Sequence, residues 1–156
     1  MFDQRAELFN GLSAQQHDEI LDLGALMALP SGSVLFDLGA RAEHLYVVLR
    51  GRIRLTLPMQ IRGRDEDVLV EESGPGETIG WSALIPPCRY TLKATAPLET
   101  EVLALPREAL RSYFAANPAT GAAVTQNVAT LIGRRLQLFQ AMWLREMQRM
   151  VELRCA

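Results

Sequence analysis

Lysine is almost missing from this chain: Lys93 is the single one in 156 residues, and the other basic residues are all arginine. The 16 basic residues stand against 18 acidic ones, for a formal net charge of -2. That balance excludes a protein whose whole surface binds nucleic acid and leaves room only for a local basic patch. Cysteine is scarce as well. Cys88 and Cys155 make no disulfide framework and have no metal-ligand spacing. The two histidines, His17 and His44, lie far apart, and His17 falls outside the strand-rich region. They do not supply the two or three histidines and a carboxylate of a barrel-type metal centre. No run approaches the roughly 18 consecutive apolar residues of a spanning helix, and no basic-then-apolar leader opens the chain. No candidate base accompanies Ser82 or Cys88, so nucleophilic catalysis has no triad, and an enzyme is not expected. These absences point to a soluble, reduced, cytoplasmic protein without a metal cofactor or a membrane partner.

What is present is ordinary globular composition, 49% hydrophobic and 22% charged, in a chain long enough to bury a core by itself. A helical lead-in opens at Ser13, with Gln16 three residues on completing a capping-box pattern. Apolar residues at Ile20, Leu21, Leu23, Leu26 and Met27 continue it until Pro30 and Gly32. From Val34 to Leu105 the period changes. Val34-Leu35-Phe36, Leu45 to Leu49, Ile53 to Leu57, Val68-Leu69-Val70, Tyr90 to Ala94 and Glu101 to Leu105 read as short strands with glycines between them. This predicts an antiparallel β-roll or jelly-roll. Arg50-Gly51-Arg52 is a tight-hairpin candidate, and the charged stretch Gln60 to Asp67 reads as an exposed hairpin tip.

A short helix is predicted from Pro106 through Phe114, broken at Asn117-Pro118. A proline-free stretch from Ala119 to Leu153 then keeps a helical period through Val124, Val128, Ile132, Leu136, Phe139, Trp143, Met147 and Met150. The expected fold is mainly β with α: residues 1–118 as a roll with short helices, and 119–156 as one long C-terminal helix. That helix outruns any roll of this size. Its far half needs a second apolar surface, most economically another copy of itself, which predicts a homodimer.

These features resemble the cyclic-nucleotide-binding domain of the catabolite-activator type. Leu29 to Phe36 followed by Gly39 is similar to the family's first strand and glycine turn. Leu45-Tyr46-Val47-Val48-Leu49-Arg50-Gly51-Arg52-Ile53 resembles its most recognisable segment. Gly74-Pro75-Gly76-Glu77-Thr78-Ile79-Gly80-Trp81-Ser82-Ala83-Leu84 resembles the approach to its phosphate-binding cassette, and Gly133-Arg134-Arg135-Leu136-Gln137 the start of its dimer helix. In such a cassette, backbone N–H groups and an arginine hold the cyclic phosphate. A glutamate takes the ribose hydroxyl, and polar residues on the long helix read the purine.

The resemblance implies a ligand site at Gly80, Trp81, Ser82, Ala83, Cys88, Arg89, Tyr90, Thr91, Phe139 and Gln140, with its side chains replaced. Trp81 stands where the ribose-binding glutamate is expected. Cys88 aligns with the phosphate arginine, and Arg89 falls one residue later, which in an extended segment points to the opposite face. Phe139 and Gln140 take the places of the purine readers. Losing a charge-assisted contact to a desolvated phosphate costs about 1.5–3 kcal/mol, roughly ten- to hundredfold in affinity. The expectation is therefore a non-catalytic sensor or regulator for a cyclic nucleotide or another small anion, with cyclic AMP held weakly and the output passed to a partner protein. Two alternatives stand beside it: a filled-pocket dimeric scaffold, and a true cyclic-nucleotide receptor using Arg89 for the phosphate. The family's DNA-binding module follows the dimer helix, and the sequence up to Ala156 leaves no recognition helix.

Overall fold

A computed structural model describes residues 6–155. A 3-10 turn at Glu7–Phe9 leads into α1 (Ala14–Leu21). Eight strands follow among the described residues: β1 (Ala25–Leu29), β2 (Val34–Phe36), β3 (His44–Arg50), β4 (Ile53–Ile61), β5 (Arg64–Ser73), β6 (Thr78–Ile79), β7 (Lys93–Thr95) and β8 (Thr100–Pro106). Helices α2 (Arg107–Ala116) and α3 (Pro118–Cys155) close the chain. The strands form two four-stranded antiparallel sheets, ordered β1-β8-β3-β6 and β2-β7-β4-β5. This is the expected β-roll with a long C-terminal helix.

The predicted capping box is present: Ser13 Oγ accepts from Gln16 N–H, and Gln16 Oε1 accepts from Ser13 N–H. The helix it starts is shorter than the sequence pattern suggests. It stops at Leu21, and Ala25–Leu29 is an edge strand in register with β8 from Ala25↔Ala104 to Leu29↔Thr100. Ala-Leu-Met-Ala-Leu has no β-branched residue and favours helix on propensity. The open edge of β8 satisfies its backbone instead, and the tertiary partner wins.

Arg50-Gly51-Arg52 is not a hairpin within a sheet, contrary to the sequence reading. β3 pairs with β8 and β6, while β4 pairs with β5 and β7, so this step carries the chain from one sheet to the other. Gly51 has φ 85°, and a Cβ there would lie 2.5 Å from Thr100 Oγ1. That hydroxyl accepts from Arg52 N–H and lies 2.9 Å from Arg52 O. The close approach, rather than a hairpin turn, fixes the glycine. The charged stretch 60–67 is also mostly ladder: β4 and β5 pair through Gln60↔Asp65 and Ile61↔Arg64, leaving only Arg62-Gly63 as the turn.

Leu45, Ile53, Leu55, Ile79, Val102 and Leu105 are among the fully buried residues of the core. Between the sheets, Phe36 of β2 stacks on Tyr90 at 3.7 Å between ring centroids and lies 6.0 Å from Tyr46 of β3. Helix α3 has 38 residues, about 57 Å at 1.5 Å each. Its first turns bury Thr120, Val124 and Val128, and Asn127 Nδ2 donates to the carbonyls of Leu8 and Asn10. Past Gly133 its apolar residues lie open, with Trp143 63% and Leu153 79% exposed. No described helix is long and apolar enough to cross a membrane.

Candidate functional site

β6 delivers the cassette. After Ile79 the chain turns at Gly80, whose φ is 75°, into a 3-10 turn at Trp81–Ala83. A Cβ at Gly80 would stand 3.2 Å from both His44 O and Tyr90 Cε1, so the backbone comes close to β3 at this point. Ser82 and Ala83 are buried, and Trp81 is half-buried with its side chain packed on the core. The turn holds itself by Ala83 N–H to Gly80 O and Leu84 N–H to Trp81 O, both 3.0 Å.

Beyond the cis Pro86-Pro87 bond the predicted site residues separate. Cys88, at φ 57°, is half-buried and faces a hollow of about 290 Å³ shared with Arg107 and Arg111. Arg89 is exposed and donates its guanidinium to Gly39 O at 2.9 Å. Tyr90 is buried and donates its hydroxyl to His44 O at 2.8 Å. Burial first, and then the neighbouring Tyr46, push the Tyr90 hydroxyl well above the ordinary phenol range. Burial does the same for Tyr46. The pair stays neutral and fills the space between the sheets with aromatic rings. Thr91 is exposed, and Phe139 and Gln140 lie on the open part of α3. Gly80 through Ala83 and Tyr90 are thus brought together. Arg89, Thr91, Phe139 and Gln140 face outward.

A second group, which the sequence reading passed over, converges where α3 crosses the roll. Arg135 on α3 reaches Glu71 on β5, Nε to Oε2 2.7 Å, with side-chain exposures of 16% and 27%. The N–H is not aligned for a hydrogen bond. Arg135 Nε and Glu71 Oε2 are buried with only each other for a partner, and Thr78 Oγ1 on β6 is buried with no hydrogen-bond partner among the described residues. Glu71, Ser73, Thr78 and Arg135, with Leu131 and Leu138, line a cavity of about 180 Å³. Buried polar groups in this condition are uncommon and mark a place where a ligand or a rearrangement can satisfy them. Glu7, Glu77 and Arg134 also line the cavity, and at its centre is a latch: a half-buried cation, Arg135, held by a half-buried anion, Glu71. Arg135 was visible in the sequence only as part of the Arg134-Arg135 start of the dimer helix. Glu71 and Thr78 lie far from it along the chain, Glu71 in no motif and Thr78 only as one residue of the Gly74 to Leu84 segment.

The profile of the cyclic nucleotide-binding domain matches residues 26–117. The cyclic AMP receptor protein of Thermus thermophilus is 31% identical over 130 residues, covering 83% of this chain and 57% of that protein. A lysophospholipase nte1 of Neurospora crassa is 31% identical over 109 residues, covering 70% of this chain but 7% of that protein, so such a domain also occurs inside an enzyme's chain. The crystal structure of the Thermus thermophilus catabolite activator protein superposes with a TM-score of 0.74 at 29% identity, covering 91% of this chain and 63% of that one. The chain spans little more than half of the receptor protein it matches.

Proposed function

Because the chain belongs to the cyclic-nucleotide-binding domain family, we propose that it is a non-catalytic, ligand-responsive regulator whose ligand is a small anion held between the roll and α3. The observation that supports this reading is the half-buried Arg135–Glu71 latch beside the unpartnered Thr78 hydroxyl. An incoming phosphate or carboxylate takes Glu71's place on Arg135, and the Thr78 hydroxyl donates to it. A 180 Å³ cavity is below the few hundred Å³ usual for a ligand site. A nucleotide-sized ligand therefore has to open the latch and shift α3, which makes ligand binding and helix position one equilibrium.

Arg89 is turned to Gly39 O, which supports weak binding of cyclic AMP at the cassette. The exposed apolar residues of α3 between Leu136 and Leu153 recur at the 3.5-residue spacing of a coiled-coil seam through Leu136, Phe139, Trp143, Met150 and Leu153. They support a homodimer; in this reading the dimer is cytoplasmic and passes the helix shift to a partner protein. The closed latch also favours one rival, a scaffold whose pocket is filled by its own side chains.

Calorimetric titration with cyclic AMP, cyclic GMP, linear nucleotides and small carboxylates separates the two. For the ligand-responsive reading, at least one anion binds. Arg135→Ala weakens it about ten- to hundredfold, the value of a charge-assisted contact, and Glu71→Gln tightens it by removing the competitor. A flat panel in the wild type and in Glu71→Gln rejects the sensor and leaves the scaffold.

A further inference from the structure

On the other side of the β1-β8-β3-β6 sheet lies a larger space, a cleft of about 580 Å³ beneath the N-terminal segment and α1. That is within the size range of small-molecule sites, roughly 300–1,000 Å³. Its floor is apolar, built from Val47 and Leu49 of β3 with Leu103 of β8, and Val47 pairs directly with Leu103 in the ladder. Phe9 and Leu21 face this floor from the N-terminal side. Among the described residues the formally charged lining groups are all of one sign, with the His17 imidazole beside them. Glu7, Glu77 and Glu101 border the cleft, and among the described residues no lysine or arginine lines it. Two of the carboxylates are engaged: Glu7 holds Arg134 at 2.9 Å, and Glu77 accepts the N–H of Gly74. Glu101 makes no ion pair among the described residues.

We propose that this cleft is a second ligand site, separate from the roll–helix cavity, and that it takes an amphiphilic organic cation, an aryl- or alkylammonium ion. The apolar body covers Val47, Leu49 and Leu103, where area removed from water supplies the affinity. The ammonium donates to Glu101 and to the free lone pairs of Glu77 and Glu7. An anion of the same shape meets three carboxylates and is rejected. Glu7 and Glu77 also line the roll–helix cavity. A cation in the cleft therefore competes with Arg134 for Glu7 and loosens a tie between the N-terminal segment and α3. The two sites share a wall, and by linkage each biases the other. The proposal does not depend on what binds at Arg135.

The probe is 4-phenylbutylammonium, compared with 4-phenylbutanol and 4-phenylbutanoate, titrated calorimetrically into the full chain. Saturable binding is expected for the ammonium, with the alcohol at least about tenfold weaker and the carboxylate silent. Leu49→Trp, which sets a bulky ring on the apolar floor, weakens binding at least about tenfold. Glu101→Gln weakens it about tenfold without touching the core, and covers the case in which Leu49→Trp folds poorly. Glu71→Gln, in the other cavity, keeps the site competent, so failure here is distinguishable from failure of the anion site. Binding of the carboxylate as tightly as the ammonium overturns the proposal. So does an unchanged affinity in both cleft variants, or no saturable binding by the ammonium at millimolar concentration.

Discussion

From Pro118 to Ile132, α3 is a tertiary element. Val124 and Val128 are 1% exposed, Thr120 accepts a hydrogen bond from Gln16 Nε2, and Asn127 holds two carbonyls of the N-terminal segment. From Leu136 to Cys155 nearly every described residue of the same helix stands exposed, although its apolar content is as high. Leu136, Phe139, Met142, Trp143, Leu144, Met150, Val151 and Leu153 all stand exposed. The two halves have the same local structure and similar hydrophobicity but different partners. The first half closes the roll, and the second is an apolar seam that makes sense only against another surface. Between them, at Arg134 and Arg135, sit the ion pairs to Glu7 and Glu71. Those two ion pairs tie the start of the open half to the N-terminal turn and to β5.

Substitutions can sharpen that contrast. The largest effect is expected from Val128→Asp. It puts an unpaired carboxylate at a fully enclosed position, costing about 4 kcal/mol or more. The melting temperature should fall by well over 10 °C or the chain should fail to fold, as read by calorimetry. Trp143→Glu in the open half should leave the subunit's circular dichroism intact and shift its mass in light scattering from dimer to monomer. A central aromatic in such a seam is worth about 2 kcal/mol or more, at least thirtyfold in the dimer dissociation constant. If both variants behave alike, the division of α3 into a core half and an interface half is wrong.

The smallest effect concerns the anchoring of the near half. Tyr113 on α2 donates its hydroxyl to Glu19 on α1 at 2.6 Å. That hydrogen bond, and then the one from Gln15, hold the Glu19 carboxyl below its ordinary value of 4.5. A carboxyl with a depressed folded pKa contributes stability at pH above its unfolded value, and the contribution is lost as pH falls through the folded value. Tyr113→Phe should therefore lower the melting temperature slightly at neutral pH. The gap from wild type should close as the solution is taken below pH 4.5. A gap that stays constant with pH would assign the effect to packing of the ring instead.

Much of the architecture was legible before any coordinates. The Ser13–Gln16 cap, the strands around β3, β4 and β8, the break at Asn117-Pro118 and the unbroken α3 follow from short-range rules: side-chain hydrogen bonding at a helix start, alternation in strands, and proline's missing N–H. Ala25–Leu29 did not follow. Its residues favour helix, and the sheet edge it joins is made by residues some 75 positions later. Arg50-Gly51-Arg52 reads as a hairpin for a related reason. A tight glycine turn looks the same whether it returns within a sheet or crosses to another, and the hydroxyl that decides it belongs to Thr100.

The site divides along the same line. The glycine turn at Gly80 is a local pattern, and the chain does turn there in the left-handed region before Trp81–Ala83. The facing of Arg89 depends on an irregular stretch beyond Pro86-Pro87 and on the Gly39 turn that receives its guanidinium. The Arg135–Glu71 latch joins residues 64 positions apart, and the acidic cleft gathers side chains from the N-terminal turn, β3, the Pro75 turn and β8. The sequence by itself determined periodicity, caps, breaks and therefore the kind of fold, because those depend on neighbours along the chain. Only the tertiary structure decided which charges meet and which are left unpaired, because the pairing of charges depends on distances that local sequence does not encode.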